Sequence, residues 1–236
     1  MIDFKILLGA PTSKLKDYCF QRWVKHVKSL TYPMDVLIVD NTPDGGKYAK
    51  SVIAKHFKVI HIDKNPGEDI YHLICRSQNI LRNYFLKNKY DYFFSLESDQ
   101  FPPVNVIEYL LSKHKLVMSL PYFNFTSSQS RILQQEIEEF GATRFLKTMN
   151  ADKIFLQWDG TVKPKTNHGI GCMLIARPVL ERIKFRISDE NYSEASTDIF
   201  FHLDLEKHGI KSWCSENYFS YHENFSWFGI NEKVKP

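Results

Sequence analysis

The sequence predicts an α/β fold, a mostly parallel, doubly wound sheet in a single domain with an insertion near residues 122–167. Three observations predict it. Short apolar runs of strand length alternate with amphipathic helical segments from the N-terminus to about residue 121. Each run closes on turn-forming residues, and strands that are apolar throughout belong to parallel sheets covered on both faces. The rhythm breaks over a polar, irregular stretch at 122–167 and resumes with an apolar strand at 169–176.

The elements follow in order. Residues 4–8 read as a buried strand closed by Gly9-Ala10-Pro11. Thr12 or Ser13 can cap the next helix, on which Leu15, Cys19, Trp23, Val27 and Leu30 recur at helical spacing as one buried stripe. A second strand at 36–39 ends in Asp40-Asn41-Thr42-Pro43-Asp44-Gly45, and a short helix at 47–57 leads to a third strand at 59–62. After the loop at Asn65-Pro66-Gly67, a helix carries Leu73, Ser77, Ile80, Leu81, Tyr84 and Phe85 on one face. The fourth strand, 90–96, runs into Glu97-Ser98-Asp99-Gln100; a helix at 104–113 and a strand at 116–120 follow. Within the insertion, 132–145 reads as helical. Beyond it, Pro178 suits the first turn of a helix, and a helix at 197–208 stops at Gly209. Residues 213 and 218–222 are strand-like. The domain is expected to span 1–225, with a donor half at 1–121, an acceptor half at 122–225 and a tail at 226–236.

Composition narrows the function. A chain of 236 residues with 43% apolar and 25% charged residues can bury a core without disulfide or metal staples. The net charge of +4 suits phosphate-bearing ligands, but no dense Lys/Arg block demands nucleic acid. Cys19, Cys75, Cys172 and Cys214 form no C-x-x-C pair and read as free thiols of a reducing compartment. The first residues run straight into a strand without a leader-like pattern, and no apolar run is long enough to cross a bilayer. A cytoplasmic location is expected.

The sharpest chemical feature is Glu97-Ser98-Asp99 at the carboxyl end of an apolar strand, the edge where open α/β sheets bind ligands. Hard divalent cations take carboxylate oxygens, and a cation held there neutralises the charge of a departing diphosphate. A polar strand-to-loop turn is the plain alternative. Two other features are set aside. Gly9-Ala-Pro-Thr-Ser-Lys14 lacks the second glycine of a phosphate loop, and His202 and His208, six apart, read as a solvated polar face.

In order and spacing these motifs resemble the GT-A glycosyltransferase superfamily, in particular its family-2-like branch. The strand ending in Asp40-Asn41, the helix carrying Arg76-Ser-Gln78-Asn79, and Glu97-Ser98-Asp99 are similar to that family's acidic strand end, Arg/Asn helix and D-x-D motif. Gly169-Ile-Gly171-Cys172 resembles its glycine-containing strand. Thr197-Asp198, with Gly209 eleven residues on, resembles its E-D motif, and Tyr221-His222 its late histidine. Glu97 and Thr197 each depart from the family's acid at that position. The resemblance implies a nucleotide-sugar donor and a Mn²⁺ or Mg²⁺ ion. It implies donor contacts from Ala10, Pro11, Thr12, Asp40, Arg76, Asn79, Glu97, Ser98 and Gly171. The implied metal ligands are Asp99, Glu97 and His222, and the implied general base of an inverting transfer is Asp198. The acceptor stays open: a glycan first, then a lipid-linked sugar, a protein side chain or a modified base in nucleic acid. Two rivals stand beside this. One is a sugar-phosphate nucleotidyltransferase, whose glycine-rich basic loop is missing after the first strand. The other is a carbohydrate-binding module with drifted motifs.

Overall fold

The computed structural model describes residues 4–122, 169–188, 196–215 and 218–223. Among them the strands are β1 (Ile6–Thr12), β2 (Asp35–Asp40), β3 (Lys58–His61), β4 (Tyr92–Leu96), β5 (Gln100–Phe101), β6 (Val117–Ser119), β7 (Cys172–Ala176), β8 (Trp213–Cys214) and β9 (Tyr221–His222). The helices are α1 (Asp17–Ser29), α2 (Lys47–Ser51), α3 (Ile70–Lys87), α4 (Val106–Ser112), α5 (Arg177–Arg182) and α6 (Thr197–Lys207).

Seven strands form one sheet in the order β3-β2-β1-β4-β7-β6-β8. β3, β2, β1 and β4 run parallel, so Thr12, Asp40, His61 and the residues after Leu96 share one edge. β7 runs antiparallel to both β4 and β6, pairing Leu96 with Cys172. β5 and β9 make a separate two-stranded ribbon that sets Gln100 opposite His222.

Period-2 alternation along the strands feeds two cores. Ile6, Leu8, Ile38 and Phe94 face α1, which buries Phe20, Trp23 and Val27. Leu7, Leu37, Val39 and Phe93 face Leu81 and Phe85 of α3, joined by Val179 of α5 and Phe201 of α6. Helices thus cover both faces, as a doubly wound sheet requires.

Several expectations need correction. Leu15 is not on the buried stripe: Ser13 caps a separate 3-10 turn, Lys14–Lys16, before α1 begins, and Leu15 is left 51% exposed. The 47–57 helix is α2 followed by a second 3-10 turn, Ile53–Lys55. His202 is buried at 3% exposure, because the buried part of α6 runs continuously from Phe200 to His202 and is wider than a single stripe, while His208 is exposed as expected. The helix expected at 132–145 lies outside the described residues.

Candidate active site

The carboxyl edge between β1 and β4 is where chain direction around the sheet changes, since β2 lies on one side of β1 and β4 on the other. The acid triplet sits there. The Glu97 backbone N–H donates to the Gly171 carbonyl at 2.8 Å, and the Ser98 hydroxyl is 2.7 Å from that of Thr12. Glu97, Asp99 and His222 each offer a ligand atom, all within 4.8 Å of one another. His222 Nε2 lies 3.3 Å from Asp99 Oδ2, and the Lys16 ammonium pairs with that same oxygen. The other oxygen, Asp99 Oδ1, is buried with no hydrogen-bond partner among the described residues. A buried carboxylate oxygen left unsatisfied beside a second acid and a histidine fits a divalent cation.

Electrostatics separates the three acids. Burial would raise Asp99, but the His222 hydrogen bond and the Lys16 and His222 charges hold it down at about 2. Glu97 moves up, through burial and then the charge of Asp99. Asp198, in the first turn of α6, is pushed up to about 7 by burial and the charge of Glu97, opposed by hydrogen bonds from the Ile170 backbone and the Thr197 hydroxyl. Two carboxyl groups driven apart from a third in one site is the pattern expected of an acid–base centre.

Tyr122 completes the cluster. Its hydroxyl accepts the Gly171 N–H at 3.3 Å, and its ring meets His222 edge-on at 5.2 Å. The two glycines make room for it. A methyl group on Gly169 would collide with the hydroxyl and come within 3.1 Å of Asp198 Oδ2; one on Gly171 would stand 3.0 Å from Glu97 Cδ. Gly169→Ala is therefore expected to displace Tyr122 and cost about 1–3 kcal/mol of stability. Thermal unfolding of this variant, alone and combined with Tyr122→Phe, checks it. An unchanged melting temperature in the single variant would show that the space is not tight.

The remaining expected donor residues are distributed as follows. Ala10 points into the first core, so only its backbone borders the edge, while Pro11 is half-buried. Asp40 is fully buried; its carboxylate accepts the Thr42 hydroxyl at 2.6 Å and lies 2.7 Å from His61 Nδ1. Asp40, Asp44 and His61 form a second group with ligand atoms within 4.8 Å. There the Asp44 oxygens accept the Lys47 and Tyr48 N–H groups, which makes it a helix-capping network. Arg76 grips Glu68 through two hydrogen bonds of 2.9 and 2.8 Å and reaches the Asp63 carbonyl. Asn79 bonds both the carbonyl and the N–H of Phe185. These last two side chains are engaged with protein partners outside the acid cluster.

A cleft of about 690 Å³ opens beyond β1 and β2, lined among others by Ser13, Lys14, Leu15, Thr42 and Lys64. Tyr18 lines it as well and donates to the Glu223 carbonyl at 2.6 Å, one residue from His222. The cleft is of the size that small ligands occupy. Sequence reasoning missed Lys16, Tyr122 and His61. A basic residue soon after the first strand was a signal for Lys16; Tyr122, just past β6, carried none.

No family model matches the chain, and no curated protein matches it. Solved structures do. The mannosyltransferase PcManGT from Pyrobaculum calidifontis, in complex with GDP-Man and Mn²⁺, superposes with a TM-score of 0.57 at 12% identity, covering 98% of this chain and 61% of that one. TarS 1-349 of S. aureus gives 0.54 at 12% identity, covering 92% and 60%. Glucosyl-3-phosphoglycerate synthase from Mycobacterium tuberculosis, in complex with Mn²⁺, UDP and glucosyl-3-phosphoglycerate, gives 0.54 at 12%, covering 97% and 75%. The chain has the GT-A fold that these proteins share, and it spans about three fifths of the length of the first two. No helix among the described residues is long and apolar enough to cross a membrane.

Proposed function

We propose that the chain is a glycosyltransferase that moves a sugar from a nucleotide-diphosphate sugar to an acceptor hydroxyl, with a divalent cation and inversion at the anomeric carbon. The observation that carries this is the Glu97, Asp99 and His222 cluster lying beside Asp198 at the ligand-binding edge of a GT-A sheet. The structural neighbours include proteins solved in complex with GDP-Man and Mn²⁺ or with UDP and Mn²⁺, which supports the same chemistry here.

Glu97, Asp99 and His222 would hold Mn²⁺ or Mg²⁺, which when bound offsets the negative charge developing on the leaving diphosphate. The nucleoside lies in the cleft beyond β1 and β2, near Thr12 and Asp40. Asp198 accepts the proton of the acceptor hydroxyl as that oxygen attacks the anomeric carbon from the face opposite the leaving group. Tyr122 and the two glycines shape the space between Asp198 and Glu97. A glycan is the acceptor proposed first. A cytoplasmic location is proposed with it, on the four unpaired thiols.

The test is thermal unfolding with UDP-, GDP-, CMP- and dTDP-sugars, each with and without Mn²⁺, followed by a nucleotide-release assay on the stabilising donor. One nucleotide class at about 100 times its Kd should stabilise the fold by about 2.7 kcal/mol, a rise of roughly 5 °C or more, only with Mn²⁺ present. No shift with any donor and no nucleotide release would sink the proposal.

A further inference from the structure

We infer that Lys16 is the resident cation of the acid cluster: it holds Asp99 when no metal is bound and makes tight metal binding conditional on a nucleoside diphosphate. This inference rests on the proposed donor site.

The placement of Lys16 is built. Ser13 caps the 3-10 turn after β1 through its hydroxyl, which accepts the Leu15 N–H, while the Lys16 N–H donates to the Ser13 carbonyl at 2.9 Å. That turn leaves Lys14 exposed on the cleft and directs Lys16 inward, with its side chain only 16% exposed against a fully buried Asp99. Three carboxyl groups, Glu97, Asp99 and Asp198, gather at the site. The groups that neutralise Asp99 are the Lys16 ammonium and His222. A buried carboxylate stripped of its cation is strongly unfavourable, so the ammonium stabilises the empty site.

The same ammonium obstructs a divalent cation. It sits on Asp99 Oδ2 within the very group of atoms that would ligate the metal, and its charge repels a second cation there. Lysine suits a movable role, because its charge is a hydrated point on a flexible four-carbon stem without the fixed fork of arginine. A diphosphate arriving past Ser13 and Lys14 supplies the anionic partner to which the ammonium can transfer. Metal and diphosphate then each make room for the other, and by linkage the coupling is reciprocal.

Mn²⁺ binding, followed by the EPR signal of the free ion, tests this for the wild type, Lys16→Met, Lys16→Gln and Asp99→Asn. Each is titrated with Mn²⁺ alone and with Mn²⁺ plus UDP or GDP, after melting curves confirm folding. The wild type should bind Mn²⁺ at least about 10-fold more tightly with the effective nucleotide, within the usual range of coupling between sites. Lys16→Met should bind Mn²⁺ alone about 10-fold more tightly than the wild type and lose most of the nucleotide-dependent gain, with Lys16→Gln following it. Equal Mn²⁺ affinity in wild type and both Lys16 variants, with Asp99→Asn abolishing binding, overturns the role of Lys16 and leaves the donor site standing. Absence of Mn²⁺ binding in every protein, with and without nucleotide, overturns both.

Discussion

Asp198→Asn is expected to lower kcat by about 10²–10⁴-fold, the usual contribution of a positioned general base, while making the metal-free protein more stable at neutral pH. The two effects share one cause. Burial and the charge of Glu97 push the Asp198 carboxyl up to about 7, against about 3.9 in an unfolded chain. For an acid raised on folding, the stability is fully present below the unfolded value, near pH 4, and is lost as pH rises through 7, because the unfolded chain gives up its proton first. The amide cannot ionise and escapes that loss. The melting temperatures of wild type and variant should therefore converge near pH 4 and separate progressively towards pH 8. The underlying difference in unfolding free energy should reach roughly 2–4 kcal/mol, discounted from the full shift because part of Asp198 is open to solvent. Wild-type activity should fall on the acid side as Asp198 takes up its proton. Metal bound at Glu97 should move that limb below 7, since it cancels the charge that raises Asp198. Activity of the amide variant within tenfold of the wild type would remove Asp198 from the base role.

Asp99→Ala is expected to abolish Mn²⁺-dependent stabilisation by the donor and to reduce transfer by about 10²–10³-fold, on the order of what one well-placed electrostatic group contributes. Asp99 is the shared point of the cluster: His222 and Lys16 meet one oxygen, and the other has no partner among the described residues. Removing it takes away the carboxylate that pairs with the largely buried Lys16 ammonium, so fold stability should be measured beside activity. Calorimetry with Mn²⁺ and the donor nucleotide decides the matter. A variant that still binds the ion and turns over at the wild-type rate would exclude Asp99 as a ligand.

Much of the frame was legible because strand periodicity and turn residues are local. Asp40 and Glu97-Ser98-Asp99 could be set on one edge from the sequence, since each directly follows an apolar run and parallel strands align their ends. Asp198 and His222 were reachable only through a resemblance, because nothing local ties them to Asp99 across about 100 residues of chain. The direction of β7 was hidden, as an apolar run carries no polarity of its own. His202 was misjudged for a related reason: spacing reveals which residues share a helix face but not what covers it. Lys14 and Lys16 are equivalent in the sequence. Only the 3-10 turn set by Ser13 decides which of the two enters the cluster. Tyr122 depended on β6 and β7 pairing across the insertion, a non-local event with no sequence signature.

The reversal of β7 has an engineering consequence. Because β7 runs antiparallel to β6 as well as to β4, Tyr122 just past β6 and Gly169 just before β7 come together, and the Tyr122 hydroxyl abuts both glycines. A segment whose two ends are already pinned together costs little extra chain entropy as it lengthens. Changing the number of residues between these two anchors is therefore expected to leave the melting temperature nearly unchanged, since each doubling of a flexible loop costs only about 0.6 kcal/mol, whereas a change at Tyr122 or Gly169 themselves removes the contact that joins them.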